Sequence, residues 1–295
     1  MNDINQLSLI SKSNIKLSEF LESEMMLSNR KAREYFKKRK ILVNGKYESR
    51  SSMLKSGDRI SVVLEEETFD ELPFQMNISV IYEDEYYMAV EKPAGLSMFK
   101  SENNDEISFS SVVANLFVKR GIKRKVRFIN RLDKFTSGVV LVAKNDIAHS
   151  AMATQWNSGH KEYLLAVKGE VNENFDIGIS LKYDDISKKY IKANHGKDTK
   201  TKYFPLGSKD GATLLKAILI TEKTHQIRAQ MSDLGLPLLG DALYGEECSH
   251  RQALHSYSIS ILHPFLKRDL VIQGDLPNDF IEILEEYDLY KFLTL

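Results

Sequence analysis

The stretch INRLDKFTSGVVLVAKND, Ile129 to Asp146, decides how this chain is read. An acid, Asp133, stands after Arg131-Leu132 and just ahead of a Thr136-Ser137-Gly138 turn. An unbroken apolar run, Val139 to Ala143, follows. A short apolar run bounded by a turn signal is the pattern of a strand buried on both faces. The spacing therefore predicts a buried strand over Val139 to Lys144 with a carboxylate at its mouth. Taken singly, an Asp beside such a turn is more often a turn or capping residue than a reactive one.

Working outward, strand-like runs dominate from Ile78 onward, separated by helical patterns. Ser79 to Leu96 reads as two strands about Glu83-Asp84 and a Pro93-Ala94-Gly95 turn. Ser110 to Gly121 and Asp146 to Gly159 read as short helices, each closed by glycine. Tyr163 to Val171 is a further strand, and Leu214 to Gly235 reads as strand, turn and helix. Helices do not alternate regularly with strands. The expected class is thus α+β, with the larger part built on a mixed, mainly antiparallel sheet.

Upstream, residues 16–64 form a compact unit of two helices, a hairpin and a closing strand. Leu17, Phe20, Leu21 and Met25 share one helical stripe. Ser28 suits the N-cap of the next helix, which turns Ala32, Tyr35 and Phe36 inward. Asn44-Gly45 suits a tight turn, and Gly57-Asp58 precedes a strand from Arg59. The expected division is a small unit over 1–64, an acidic linker over 65–77 that contains Pro73, and a larger unit over 78–295.

The chain has 295 residues, 42% of them hydrophobic, and zero formal net charge. It can bury a core of ordinary size. Its one cysteine, Cys248, allows no internal disulfide and reads as a reduced thiol. No apolar run is long enough for a signal peptide or a membrane span, so a cytoplasmic protein is expected. No long apolar stripe suggests self-association, so a monomer is expected. Charge is segregated: Arg30 to Lys40 holds seven basic residues against one acid, and Lys119 to Arg127 holds six and none. Acids collect in Glu65 to Glu71 and Asp279 to Asp288. Each basic run could be a solvated helix face, but together they point to a polyanionic partner.

Several chemistries are excluded. The chain lacks a Gly-x-x-x-x-Gly-Lys loop and a Gly-x-Gly-x-x-Gly fingerprint, so a nucleotide cofactor has no cradle. Its histidines lack zinc-site spacing, and no Gly-x-Ser-x-Gly elbow is present. What remains is a site of acids, aromatics and arginines, with no metal and no cofactor expected.

Two resemblances sharpen this. Leu17, Phe20-Leu21, Ser28, Arg30, Val43-Asn44-Gly45, Leu54 and Gly57-Asp58 resemble the S-four type RNA-binding domain, although Asn29 separates Ser28 from Arg30. EKPAGL (Glu91 to Leu96), NRLDKFTSG (Asn130 to Gly138), KEYLLAVKG (Lys161 to Gly169), THQIRAQMSDLGLPLLGDALYG (Thr224 to Gly245) and RQALHS (Arg251 to Ser256) resemble the RluA-type pseudouridine synthases. That likeness spans about Val80 to Pro264. It implies isomerisation of uridine to pseudouridine in RNA, without a cofactor.

It also implies roles. Asp133 is the catalytic carboxylate, Arg228 its partner, and Tyr163 the ring that stacks on the base and takes the carbon 5 proton. Arg131 fills the space the base leaves, and Ile227 and Leu254 wall the pocket. Asn130, His225 and Gln226 complete the substrate-binding set. In the first unit Arg30, Lys31, Arg33, Lys37, Lys38 and Asn44 are the implied RNA contacts. Large-subunit ribosomal RNA is the implied target, with transfer RNA next. The rivals are a non-catalytic RNA-binding factor and a hydrolase of free nucleosides. Attack of Asp133 on the sugar and elimination through a glycal both stay open. The chain departs from the family pattern at Asn130, at Phe99-Lys100 and at Ser256, which bears on RNA positioning and target choice.

Overall fold

The strand at the centre of that reading forms, over Ser137–Ala143, and all seven of its residues are buried. Its pleat explains the unbroken apolar run. Val139, Leu141 and Ala143 enter one apolar cluster, and Val140 and Val142 enter another on the opposite face. The computed structural model describes residues 5–101, 106–246 and 250–293. Cys248 lies outside them.

Ser137–Ala143 belongs to an eleven-stranded sheet. In spatial order its main path is Lys189–Lys192, Phe175–Asp184, Lys197–Lys209, Ala212–Leu219, His160–Lys168, Leu254–Leu262, Ser137–Ala143, Tyr87–Lys92 and Val80–Glu83. Asp269–Gln273 pairs with Leu254–Leu262, and Arg127–Phe128 with Ser137–Ala143. All pairings are antiparallel except one. Ser137 and Gly138 lie parallel to His255 and Ser256. Gly138 has φ +121, and a Cβ there would stand 2.2 Å from the Ser256 carbonyl oxygen. The glycine of the Thr-Ser-Gly turn is what lets the two strands approach. The expected α+β class is met, with helices Phe109–Lys119, Asp146–Gln155, Gln226–Asp233 and Asn278–Glu286 flanking the sheet.

The N-terminal residues form a four-stranded antiparallel sheet in the order Gln6–Ile10, Arg59–Val63, Ile41–Val43, Lys46–Tyr47. Helices Leu17–Ser23 and Asn29–Lys37 pack on it. Leu17, Phe20, Leu21 and Met25 are buried as expected, and Ser28 Oγ accepts from Lys31 N at the N-cap. Gln6–Ile10 lies ahead of the expected core and was not read from the sequence. Its side chains join the cluster only through Leu7 and, in part, Leu9. That cluster runs without a break from Leu7 and Ile60 to Val139 and Ile259, so the small sheet is packed against one face of the large one.

Residues 65–77 form no helix or strand, and much of their first half is tied to the rest of the chain. Glu67 takes both Nη atoms of Arg127 at 2.8 and 2.7 Å. Glu66 pairs with Lys123 at 3.3 Å, and Asp70 with Lys125. Glu71 accepts from Ser108 and from Lys100 N. This corrects the charge reading of Lys119 to Arg127. The basic run and the acidic run, far apart in sequence, lie side by side and cancel much of each other's field. Among the described residues no helix is long and apolar enough to cross a membrane.

Candidate active site

The Asp133 loop is fixed before its carboxylate meets anything. Asn130 donates to the Val139 carbonyl at 3.0 Å and accepts from Leu141 N at 2.9 Å, which staples the loop to the buried strand. Lys92, 1% exposed, reaches up from the neighbouring strand. Its ammonium donates to the carbonyls of Pro93, Asp133, Lys134 and Thr136 at 2.9–3.2 Å. Burial pushes Lys92 down to about 7. The Asp133 charge opposes that shift, and the Arg251 charge adds to it.

The carboxylate of Asp133 opens into a cleft of about 650 Å³. Arg228, from helix Gln226–Asp233, donates its Nη1 to Asp133 Oδ2 at 2.9 Å. Its other edge is taken by Asp241, with Nε and Nη2 at 2.7 and 2.8 Å. Asp241 has no exposed side-chain surface and also accepts from Leu243 N and Tyr244 N. Burial works against the guanidinium charge, but Asp241 and Asp133 outweigh it and hold Arg228 above its ordinary range. The fork is thus aimed by one buried carboxylate at the other.

Tyr163 lies in the middle of strand His160–Lys168 and lines the same cleft. A bulge between Glu162 and Tyr163 shifts the register against Leu254–Leu262. Such a bulge re-aims the side chain that follows it. Burial, Glu222 and Asp133 push the Tyr163 phenol well above its usual range, so it is neutral near pH 7. Ile227 and Leu254, 3% and 4% exposed, are apolar wall beside it. Arg131 is exposed at the rim.

His225 caps helix Gln226–Asp233 with φ +56. Its Nδ1 is 3.1 Å from Tyr244 Oη, which already accepts from Tyr190 N. Its Nε2 is turned towards Asp133 Oδ2 at 3.7 Å. Burial pushes His225 down, opposed by Asp133, so the ring is neutral at pH 7. Gln226 bonds Lys200 O, Thr201 Oγ1, Thr221 Oγ1 and Lys223 N. Asn130 and Gln226 both line the cleft, and the protein bonds that their amides make position elements that carry other groups.

Lys92, Asp241 and Glu222 belong to this site without having been singled out in the sequence. The first two lie inside EKPAGL and GDALYG, stretches that stood out as wholes. Glu222 directly precedes the Lys223–His225 turn and accepts from Trp156 Nε1 at 2.6 Å. Among the described residues no group of three or more His, Cys, Asp or Glu could hold a metal ion.

The model of the RNA pseudouridylate synthase family matches residues 86–233, which include Asp133, Tyr163 and Arg228. A Bacillus subtilis (strain 168) protein named "Uncharacterized RNA pseudouridine synthase YjbO" is 30% identical over 254 residues, 83% of this chain and 89% of its own. The chain belongs to this family. A Zymomonas mobilis protein named "Ribosomal large subunit pseudouridine synthase D" is 29% identical over 70% of this chain and 72% of its own. The solved structure of "Human RNA Pseudouridylate Synthase Domain Containing 1" shares the fold, with a TM-score of 0.57 at 19% identity over 71% of this chain and 95% of that one. As an RNA pseudouridine synthase, the enzyme is an isomerase. Uracil leaves the ribose through nitrogen and returns through carbon 5, with no net gain or loss of atoms.

Proposed function

We propose that the cleft isomerises a uridine everted from large-subunit ribosomal RNA. The observation that carries this is the Asp133 carboxylate held 2.9 Å from Arg228 in a cleft that Tyr163 also lines. A carboxylate beside a fixed guanidinium can capture or stabilise the electron-poor sugar once the glycosidic bond breaks. Tyr163 offers its ring to the base, and Ile227 and Leu254 keep water from the reacting carbon. Arg131, exposed at the rim, is placed to occupy the gap in the RNA stack, which offsets part of the few kcal/mol that base extrusion costs. The ribosomal target rests on relatives named as large-subunit synthases. Transfer RNA is the second candidate.

The first sheet and its helices serve as the RNA grip, in the manner of the S-four type domain they resemble. Arg30, Arg33 and Lys37 are exposed and carry this reading. Lys31 pairs with Asp146 at 2.5 Å, and Lys38 with Glu34 and Glu65. Asn44 closes on Asp58 and on Arg59 N, so it shapes the turn. The test is Asp133→Asn with pseudouridine mapped in transcribed large-subunit RNA. Pseudouridine formation should vanish while RNA affinity stays within about twofold. An active Asp133→Asn protein would remove the assignment, and turnover of free uridine monophosphate would favour the nucleoside reading.

A further inference from the structure

The roles above leave a second carboxyl in the cleft unused. Glu222 lies between strand Ala212–Leu219 and helix Gln226–Asp233, and its side chain lines the cleft. Trp156 Nε1 donates to its Oε2 at 2.6 Å. Trp156 is fixed in turn by Lys161, a largely buried residue whose ammonium donates to the Trp156 carbonyl at 2.6 Å and sits 4.8 Å over the indole ring. One oxygen of Glu222 is therefore anchored by packed groups. Among the described residues no hydrogen bond or ion pair engages the other.

The charged and titratable groups that face Glu222 are Lys161, Arg131, Lys223 and Tyr163. Tyr163 lines the same cleft as both carboxyls, and the charges of Glu222 and Asp133 both push its phenol up. If Asp133 works at the sugar, a pyrimidine laid against Tyr163 extends away from it towards Glu222. The base has a proton to lose there. After carbon 5 has joined C1′, it still carries its hydrogen, and the ring holds a C6=N1 double bond. When the proton leaves, its bonding pair closes C5=C6 and the C6=N1 pair passes to N1. N1 then takes a proton, so none is consumed overall.

Resting on the reading of the cleft given above, we propose that Glu222 is the general base that removes the carbon 5 proton and, as the acid so formed, returns a proton towards N1. Tyr163 is poorly suited to that step, because a buried neutral phenol would first have to ionise. Burial, opposed chiefly by the Trp156 hydrogen bond, raises Glu222 from the ordinary carboxyl value towards the working pH, which suits a group that must both take and give a proton.

The experiment is single-turnover pseudouridine formation on transcribed large-subunit RNA, with a transfer RNA transcript as second substrate. Each RNA is made with ordinary and with 5-deuterated uridine. Glu222→Gln keeps an oxygen for Trp156 but cannot take a proton. It should slow the reaction about 100-fold or more, bring out an isotope effect at carbon 5, and abolish the acid limb of the pH–rate profile. RNA affinity should not change. Glu222→Asp should recover part of the rate and the limb. Trp156→Phe, which keeps the carboxyl but frees it, should retain the limb. The proposal is overturned if Glu222→Gln matches wild type in rate, isotope effect and pH profile. It is equally overturned if Trp156→Phe removes the limb as fully as Glu222→Gln, since Glu222 then acts only as a strut. Wild-type protein that modifies neither RNA would instead fail the wider reading.

Discussion

His255, 1% exposed, is the partner of Ser137 in the parallel strand pair behind the Asp133 loop. Its Nδ1 meets Ser137 Oγ at 2.9 Å, and its buried Nε2 has no hydrogen-bond partner among the described residues. Burial, helped by the Arg251 charge, pushes it down to about 3 from 6.5. Between those values the unfolded chain binds a proton that the folded chain refuses. The contribution of His255 is therefore complete above pH 6.5 and is lost as pH falls towards 3, by about 1.4 kcal/mol per pH unit for one proton. His255→Asn keeps a partner for Ser137 and cannot titrate. Urea midpoints at pH 7, 5 and 4 should fall less steeply for this variant than for wild type. Parallel slopes would mean that the ring protonates freely in the folded protein. The same scale explains why Asp133, Tyr163 and Arg228 were legible and Glu222 was not. Each of the three sits inside a motif whose neighbours identify it, whereas a Glu before a Lys-Thr-His turn reads as an ordinary surface acid until Trp156 is seen bound to it.

Among the elements, the buried strand and the Arg228 helix were readable because burial writes an apolar pattern into the sequence. The strands Phe175–Asp184, Lys189–Lys192 and Lys197–Lys209 wrote no such pattern. Much of their length alternates charged or polar side chains with a few buried ones such as Ile177, Leu181, Thr201 and Tyr203. Backbone pairing holds them in series, Lys189–Lys192 to Phe175–Asp184, that strand to Lys197–Lys209, and that one to Ala212–Leu219, while the first two also contact helix Gln226–Asp233, which a reading of apolar runs does not detect. Their placement matters, since Tyr190 N orders the Tyr244 hydroxyl that faces His225. Lys92 acts on a whole element too, since its ammonium bonds four carbonyls of the Asp133 loop and the adjoining turn. Lys92→Met preserves the stem and removes the donors. It should lower stability by about 2 kcal/mol and reduce kcat, with RNA affinity little changed. An enzyme of unaltered kcat would show that Asn130 and Arg228 suffice to hold the loop.

Across the whole molecule, zero net charge hides two different kinds of basic run. Both looked alike in the sequence, because pairing between residues 55 to 60 positions apart leaves no local trace. Lys123, Lys125 and Arg127 each face an acid of the 65–77 segment, so their field is met within the protein. Arg30, Arg33 and Lys37 stand exposed on helix Asn29–Lys37, and no ion pair engages them among the described residues. Phosphate contacts release counterions, so each one lost should flatten the slope of log affinity against log salt by roughly 0.7 to 0.9. Replacing Arg30, Arg33 and Lys37 together by Gln should flatten it by about two to three such steps and weaken binding at low salt. Replacing Lys123 and Lys125 by Gln should leave the slope within about half a step of wild type, because removing a paired cation exposes the acid it had neutralised. Filter binding of transcribed ribosomal RNA from 50 to 300 mM salt, roughly the range over which such slopes are read, separates the two sets. If the Lys123 and Lys125 pair flattens the slope as much as the helix trio, the acidic segment swings away when RNA binds. The grip would then extend onto the face beside the cleft.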